Sequence, residues 1–206
     1  MSSIILAEFG FVGKAYHNAF KDHHTISIID PKLNDYTVNE FEDYDGIMVC
    51  VPTPQSEDGS CDMSYVLSVL DQVPHTMPVM IKSTISLEGW AEIVAKFPNH
   101  SITFSPEFLR ADTANEDVLA TKNIIVAGGN TLFWAEAYSK VFSRARVHTV
   151  SVQEAILIKY FRNSFLAAKV SYFNQVFDFC ETLGASFDAV RFGIALDERI
   201  GASHTF

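Results

Sequence analysis

The stretch Ser3-Ile4-Ile5-Leu6-Ala7-Glu8-Phe9-Gly10-Phe11-Val12-Gly13 decides how the rest of the chain is read. Its first five residues form a short apolar run of the kind that makes a buried strand. The glycines at 10 and 13 then turn the chain, and Ala15, Tyr16, Ala19 and Phe20 fall at helical spacing. A second apolar run, Thr25-Ile26-Ser27-Ile28-Ile29, ends at Asp30-Pro31, and the acid lies seventeen residues after Gly13.

Strand, glycine turn, helix, strand and terminal acid make a βαβ unit of the dinucleotide-binding kind. In such a unit the helix N-terminus faces a pyrophosphate and the acid bonds a ribose hydroxyl. Gly10, Phe11, Val12, Gly13 and Asp30 are therefore the candidate residues for holding NAD. Lys32 could meet an adenosine phosphate or ribose, although a loop lysine is more commonly only solvated. The fingerprint departs from G-x-G-x-x-G at its first glycine, where Glu8 stands. A carboxylate beside a pyrophosphate adds like-charge repulsion unless it turns away, so NAD binding is expected to be weakened.

The alternation continues. Residues 46–51 read as a third strand ending in Pro52-Thr53-Pro54, with a helix over 63–73. Val79-Met80-Ile81 is a fourth ending in Lys82-Ser83-Thr84, with a helix over 87–97. Residues 101–104 are a fifth, followed by Ser105-Pro106-Glu107-Phe108-Leu109-Arg110. Residues 123–127 are a sixth strand, 131–142 a helix and 146–149 an edge strand. This pattern predicts an α/β fold with a doubly wound, mostly parallel Rossmann-like sheet. Pro52-Thr53, Ser83-Thr84 and Ser105-Pro106-Glu107 should lie along one rim, where hydroxyls could bond a nicotinamide carboxamide, a ribose or water, or cap the next helix. Locally, Glu107 and Arg110 could equally form a solvated ion pair in the loop.

After residue 150 the alternation stops. Residues 152–183 have the apolar spacing of one long helix with Gly184 as its stop, and a shorter helix covers 187–194. Apolar residues cover more than one face of the long helix, so a partner surface is expected, with a homodimer through Val152–Leu183 the leading form. Lys159 and Asn163 share a face at i, i+4, which could also be an ordinary solvated side. Residues 1–150 are thus read as a Rossmann NAD-binding domain, and 151–206 as a dimerisation-type helix and the start of a further domain.

A formal net charge of -10 and the lack of any basic run exclude a nucleic-acid backbone as partner. No apolar stretch is long enough for a bilayer and no signal peptide is evident, so the expectation is a cytoplasmic protein without a membrane partner. The three cysteines suggest no disulfide framework, with Cys50 a small buried hydrophobe, and the seven scattered histidines suggest no metal site.

Taken together, Gly10 to Gly13, Val51-Pro52-Thr53-Pro54, Lys82-Ser83-Thr84, Ser105 to Arg110, Lys159-Tyr160-Phe161-Arg162-Asn163 and Asp197-Glu198-Arg199-Ile200-Gly201 resemble the UDP-glucose 6-dehydrogenase family and its relatives acting on UDP-N-acetylmannosamine or GDP-mannose. The resemblance implies two rounds of NAD-dependent oxidation at a sugar C6. It implies that Thr84 and Glu107 order water and move protons, and that Lys159 and Asn163 bond the oxygen that gains charge as hydride leaves. It places the Phe108, Leu109 and Arg110 backbone along a nucleotide sugar such as UDP-glucose, and Arg199 at the sugar nucleotide of a neighbouring subunit. Pro52, Thr53, Ser83 and Thr84 fall on the cofactor side. Ala111 stands where many relatives have a cofactor-holding glutamate. The family's catalytic-cysteine loop and UDP-gripping domain have no counterpart in these residues, which under the resemblance implies a truncated form that is inactive alone. The alternative is a non-catalytic nucleotide-binding or dimer-partner module derived from the same family.

Overall fold

The computed structural model describes residues 1–33 and 41–206. Seven strands form one sheet: β1 (Ser3–Ala7), β2 (Thr25–Ile29), β3 (Gly46–Val49), β4 (Val79–Ile81), β5 (Ile102–Phe104), β6 (Asn123–Gly128) and β7 (Arg146–Val150), in the order β2-β1-β3-β4-β5-β6-β7. Helices α1 (Phe11–Phe20), α2 (Ser64–Leu70), α3 (Leu87–Lys96), α4 (Ala114–Leu119) and α5 (Thr131–Val141) connect them. Two helices follow, α6 (Val152–Leu183) and α7 (Phe187–Ala195). The doubly wound α/β architecture is as expected, and the long and short helices fall where their periodicity puts them.

The chain divides into two compact units, Met1–Lys159 and Tyr160–Phe206. In the first, period-two alternation sorts the strand side chains between two helix layers. Ile5, Ala7, Ile47, Val49, Val79, Ile81, Ile102 and Phe104 pack on one face against Val66, Leu70 and Ile93 of α2 and α3, and against Ala155 and Ile156 at the start of α6. Ile4, Leu6, Met48, Met80, Ile124 and Val126 pack on the other against Tyr16 and Phe20 of α1, Val118 of α4 and Trp134 and Tyr138 of α5. Such strands, buried on both sides, read as continuous apolar runs because each face has its own helical cover.

The sheet is mostly parallel, as expected, and two features go beyond what the sequence pattern specified. β6 pairs antiparallel with β5, so β6 and β7 form a parallel pair running against the other five strands. α4 is an extra helix in the segment between β5 and β6. It has Thr113 at its N-cap position and Glu116 and Asp117 in its first turn, where carboxylates suit the helix dipole. It packs on α1, with Asn18 Nδ2 donating to Asn115 Oδ1 at 3.0 Å.

In the second unit, α6 ends in a Schellman turn: Gly184 takes φ +65°, its N–H bonds Glu181 O, and the Ala185 N–H bonds Cys180 O. Ser186 caps α7 by accepting from Ala189 N. Lys169 Nζ donates to the carbonyls of Ile200 and Gly201 at 2.6 and 3.2 Å, holding the segment after α7. Phe173, Cys180 and Thr205 are buried within this unit, whereas Phe161, Phe165, Phe179 and Phe192 are exposed.

The turn after β1 leaves no room for a side chain at Gly13. A Cβ at Gly13 would run into the Glu8 carbonyl oxygen and stand 2.9 Å from Leu6 Cδ2. Gly13→Ala is therefore expected to lower stability by about 1–3 kcal/mol through overpacking against backbone. Urea denaturation followed by circular dichroism checks this, and an unchanged midpoint would contradict the close approach.

Candidate functional site

The sheet order reverses between β1 and β3, because β2 lies to one side of β1 and the next strand lies to the other. A crevice opens at such a switch point outside the carboxyl ends of the strands. Here it is a cleft of about 260 Å³, lined by Glu8, Gly10, Phe11 and Val12 after β1, Cys50 to Thr53 after β3, Lys82 to Thr84 after β4, and Glu107 after β5. The rim expected from the three strand ends is present.

Each strand end is tied to its neighbour. Thr53 Oγ1 donates to Thr84 O at 2.7 Å, and Ser83 Oγ donates to Val51 O at 2.6 Å. Using the hydroxyl protons internally leaves oxygen lone pairs as acceptors on the wall. Asp30 is 5% exposed; its two oxygens accept from Phe9 N at 2.9 Å and Lys32 N at 2.8 Å, clamping the glycine turn to the end of β2. Those backbone hydrogen bonds hold its carboxyl below the usual range. Lys32 itself is exposed.

Glu8 occupies a left-handed backbone conformation, φ +73°, that glycine adopts at less cost. Its carboxylate lies over the turn: a Cβ at Gly10 would be 3.3 Å from Glu8 Oε1. Partial burial, then the nearby Asp30 charge, raise its pKa, while Lys32 opposes them. The residue that breaks the glycine pattern thus faces the position where an anion would sit.

Lys159 and Glu107 meet in a buried ion pair. Lys159 Nζ donates to Glu107 Oε1 at 2.8 Å and to Glu107 O at 2.6 Å, with side chains only 8% and 10% exposed. Glu107 Oε2 accepts from Leu109 N at 2.6 Å, and the ammonium lies 5.4 Å from the Phe108 ring centroid. Lys159 is thereby removed from the solvated helix side that its spacing also allowed, with two of its three N–H donors used. The loop pairing of Glu107 with Arg110 does not form. Arg110 is exposed and binds Asp117 of α4 through both guanidinium and backbone donors, an interaction that pulls the Asp117 carboxyl far down. Phe108 and Leu109 are half-buried in the same loop. Asn163 and Arg199 belong to the second unit and are exposed; Arg199 pairs with Asp197 at 2.5 Å.

The sequence reading passed over Lys82 as a site residue. It is 2% exposed, and its Nζ donates to Ser105 Oγ and Tyr138 OH, each at 3.2 Å. Burial, with Glu107 opposing it, pulls the Lys82 pKa down to about 7. The signal was its place two residues beyond the buried Met80, on the same strand face. Cys50 behaves as the expected buried hydrophobe, its thiol pushed up to about 12 by burial.

A glycine turn between a buried strand and a helix N-terminus, at the switch point of a doubly wound sheet, defines a dinucleotide-binding domain of the Rossmann class. Residues 23–146 match the NAD binding domain of the UDP-glucose/GDP-mannose dehydrogenase family and residues 153–206 its central domain, and the chain belongs to that family. It is 32% identical over 176 residues to UDP-glucose 6-dehydrogenase of Rickettsia felis, covering 79% of this chain and 39% of that protein. Against the Bacillus subtilis UDP-glucose 6-dehydrogenase it is 30% identical over 171 residues, 77% of this chain and 39% of the relative. The chain thus spans about two fifths of the length of these curated relatives. Among solved structures, a UDP-glucose dehydrogenase from Pyrobaculum islandicum superposes with a TM-score of 0.84 at 25% identity, over 100% of this chain and 59% of that one. A GDP-mannose dehydrogenase from Pseudomonas aeruginosa shares the fold with a TM-score of 0.80 at 18% identity, over 94% and 56%.

The buried amine gives a pH test. The folded pKa of Lys82, about 7, lies below its ordinary 10.5, so between these values the folded chain binds fewer protons than the unfolded chain. The Lys82 contribution to stability therefore rises as pH increases from about 7 to about 10. Lys82→Met is expected to be most favourable relative to wild type at pH 6–7 and to lose that advantage towards pH 10. Thermal melts of both proteins across this range decide it; a pH-independent difference would count against the buried amine.

Proposed function

We propose that this chain supplies the dinucleotide site and part of the sugar-nucleotide site of an NAD-dependent nucleotide-sugar 6-dehydrogenase, of the type that converts UDP-glucose to UDP-glucuronate. The observation that carries the proposal is the switch-point cleft, with the glycine turn on one wall and the buried Lys159–Glu107 pair adjoining Glu107 on another. Bound NAD would supply the hydride acceptor. The residues present fit it. The first N–H groups of α1 lack intrahelical partners and suit a pyrophosphate at Gly10 to Gly13. Asp30, with Lys32 beside it, faces the adenosine ribose, and Pro52, Thr53, Ser83 and Thr84 form the wall for the nicotinamide end.

Within the reaction, Lys159 donates to the sugar oxygen that becomes negative as hydride leaves. Glu107 fixes that ammonium in advance, which favours the transition state over the ground state. Asn163, one helical turn further along α6, is the second donor to the same oxygen. Thr84 and Glu107 order the water used later and move its proton. The Phe108, Leu109 and Arg110 backbone lies along the nucleotide sugar, and Arg199 serves the site of a second copy. Residues 1–150 act as the Rossmann domain and 151–206 as the dimerisation helix and start of the central domain. Exposed Phe161, Phe165 and Phe179 on α6 support a homodimer through that helix. Among the described residues no helix is long and apolar enough to cross a membrane; a cytoplasmic setting belongs to this proposal.

One observation favours a second reading, a non-catalytic nucleotide-binding or dimer-partner module: the Glu8 carboxylate over Gly10 weakens the cofactor site. Calorimetry with NAD+ separates the effects. Weak binding is expected at pH 8 and tighter binding as pH falls and Glu8 takes up a proton. Glu8→Gln should bind NAD+ about tenfold more tightly at pH 8, corresponding to roughly 1.4 kcal/mol of lost repulsion, with a flatter pH profile. No binding by either protein would sink the dinucleotide reading, and equal affinities at pH 8 would remove Glu8 from the account. For the dimer, Phe165→Glu is expected to shift the sedimentation coefficient towards the monomer; a wild-type chain already monomeric at high concentration refutes that assignment.

A further inference from the structure

β4 buries an amine that the steps above do not use. The Lys82 ammonium is boxed by Ser105 Oγ and Tyr138 OH at 3.2 Å and by the face of Tyr16, whose centroid is 4.5 Å away. All three partners are uncharged. Burial raises the Tyr16 and Tyr138 hydroxyls well above their ordinary range, so neither becomes a counter-ion near neutral pH. The Cys50 thiol, from the end of β3, is likewise held protonated. Among the described residues no carboxylate lies within ion-pair distance of Lys82. The charges that act on it come from Glu107, beyond β5, and from Lys159 of α6, opposite in sign and paired with each other. Glu8 is the further carboxylate on the cleft wall that Lys82 lines.

An amine so desolvated keeps or loses its proton according to the field around it, because no single partner fixes its charge. We propose that Lys82 is a positioning residue for the cleft: a buried proton-binding site whose charge follows the charge held in the crevice, becoming fully ammonium when a phosphate-bearing anion enters. The amine takes up a proton from solvent in the fraction of molecules where it was neutral, and no other bond changes as the anion binds. The ligand part of this inference rests on the dinucleotide reading, whereas the response to Glu107 and Lys159 is a property of the chain alone. The cleft thereby gains further positive charge as an anion enters, and the empty chain carries less than a full unpaired cation in its core near neutral pH.

The test follows the proton directly. With lysines labelled at Cε, the resonance absent from Lys82→Met is titrated by NMR in the ligand-free chain. A midpoint near neutrality is expected, far below the roughly 10.4 of an unperturbed lysine. Glu107→Gln should move it down and Lys159→Met should move it up. Structural damage would instead carry both variants towards the unperturbed value, so opposite shifts identify the field effect. Saturating NAD+, or inorganic pyrophosphate as the simpler probe, should raise the midpoint by about one unit or more. Binding heats at pH 7.5 should then differ between Tris and phosphate buffers for wild type and not for Lys82→Met. A wild-type midpoint near 10, variants that leave it unmoved, or bound NAD+ that leaves it unmoved each overturns the proposal. Neither probe binding, while the midpoint is near neutral and answers to both variants, overturns the dinucleotide reading and the ligand coupling and upholds the field-controlled proton site.

Discussion

Period-two alternation along a sheet covered on both faces is the constraint from which the cleft follows. Val79 and Ile81 of β4 point into one helix layer and Met80 into the other, so the next even residue, Lys82, is carried towards α1 and α5 before the chain can turn outward. The odd residue beyond it, Ser83, returns to the end of β3 and is tied to Val51 O. Polar groups thus enter the molecule at the first positions past the strands, at depths set by the pleat. Since β1, β3, β4 and β5 are parallel neighbours, those positions share one edge.

This explains what could be read without coordinates. Apolar runs separated by helical patterns locate the strands, and the Ser and Thr clusters at their ends locate the rim. The direction of β6 could not be read, because Asn123-Ile124-Ile125-Val126-Ala127 is equally apolar in either direction and pairing with β5 is a matter of tertiary geometry. α4 was hidden for a different reason. Its six residues include just two buried ones, Ala114 and Val118, too few for a helical period to stand out. Ion-pair partners were equally illegible: Glu107 finds Lys159 across 52 residues, while Arg110 finds Asp117 on a helix that the pattern did not reveal.

Glu8 shows the limit of motif matching in the other direction. Glycine at the first fingerprint position permits a left-handed turn at little cost, yet with glutamate there the backbone keeps the same positive φ. The fold absorbs that strain because Glu8 N is bonded to Ile29 O at 2.7 Å and the turn is clamped by Asp30. Chain geometry is therefore retained while charge is altered. The consequence falls on ligand electrostatics and leaves the βαβ turn of the first unit intact.

The cleft wall carries two carboxylates, Glu8 and Glu107, and one amine, Lys82, and a second amine, Lys159, is paired to Glu107; their environments separate their duties. Lys159 has a carboxylate partner at 2.8 Å, which fixes its charge and position together. Lys82 has hydroxyl and aromatic partners only, which fix its position and leave its charge open. Glu107 is held by Lys159 and the Leu109 N–H, whereas Glu8 is half-buried beside another acid, and its burial and then the Asp30 charge raise its pKa. Groups of the same chemical type thus differ in whether they serve as constant charges or respond to one. Under the proposed function, a site that accepts a polyanion and then meets charge developing on a neutral sugar would use both kinds, and burial without a counter-ion is the simplest physical way to obtain the second.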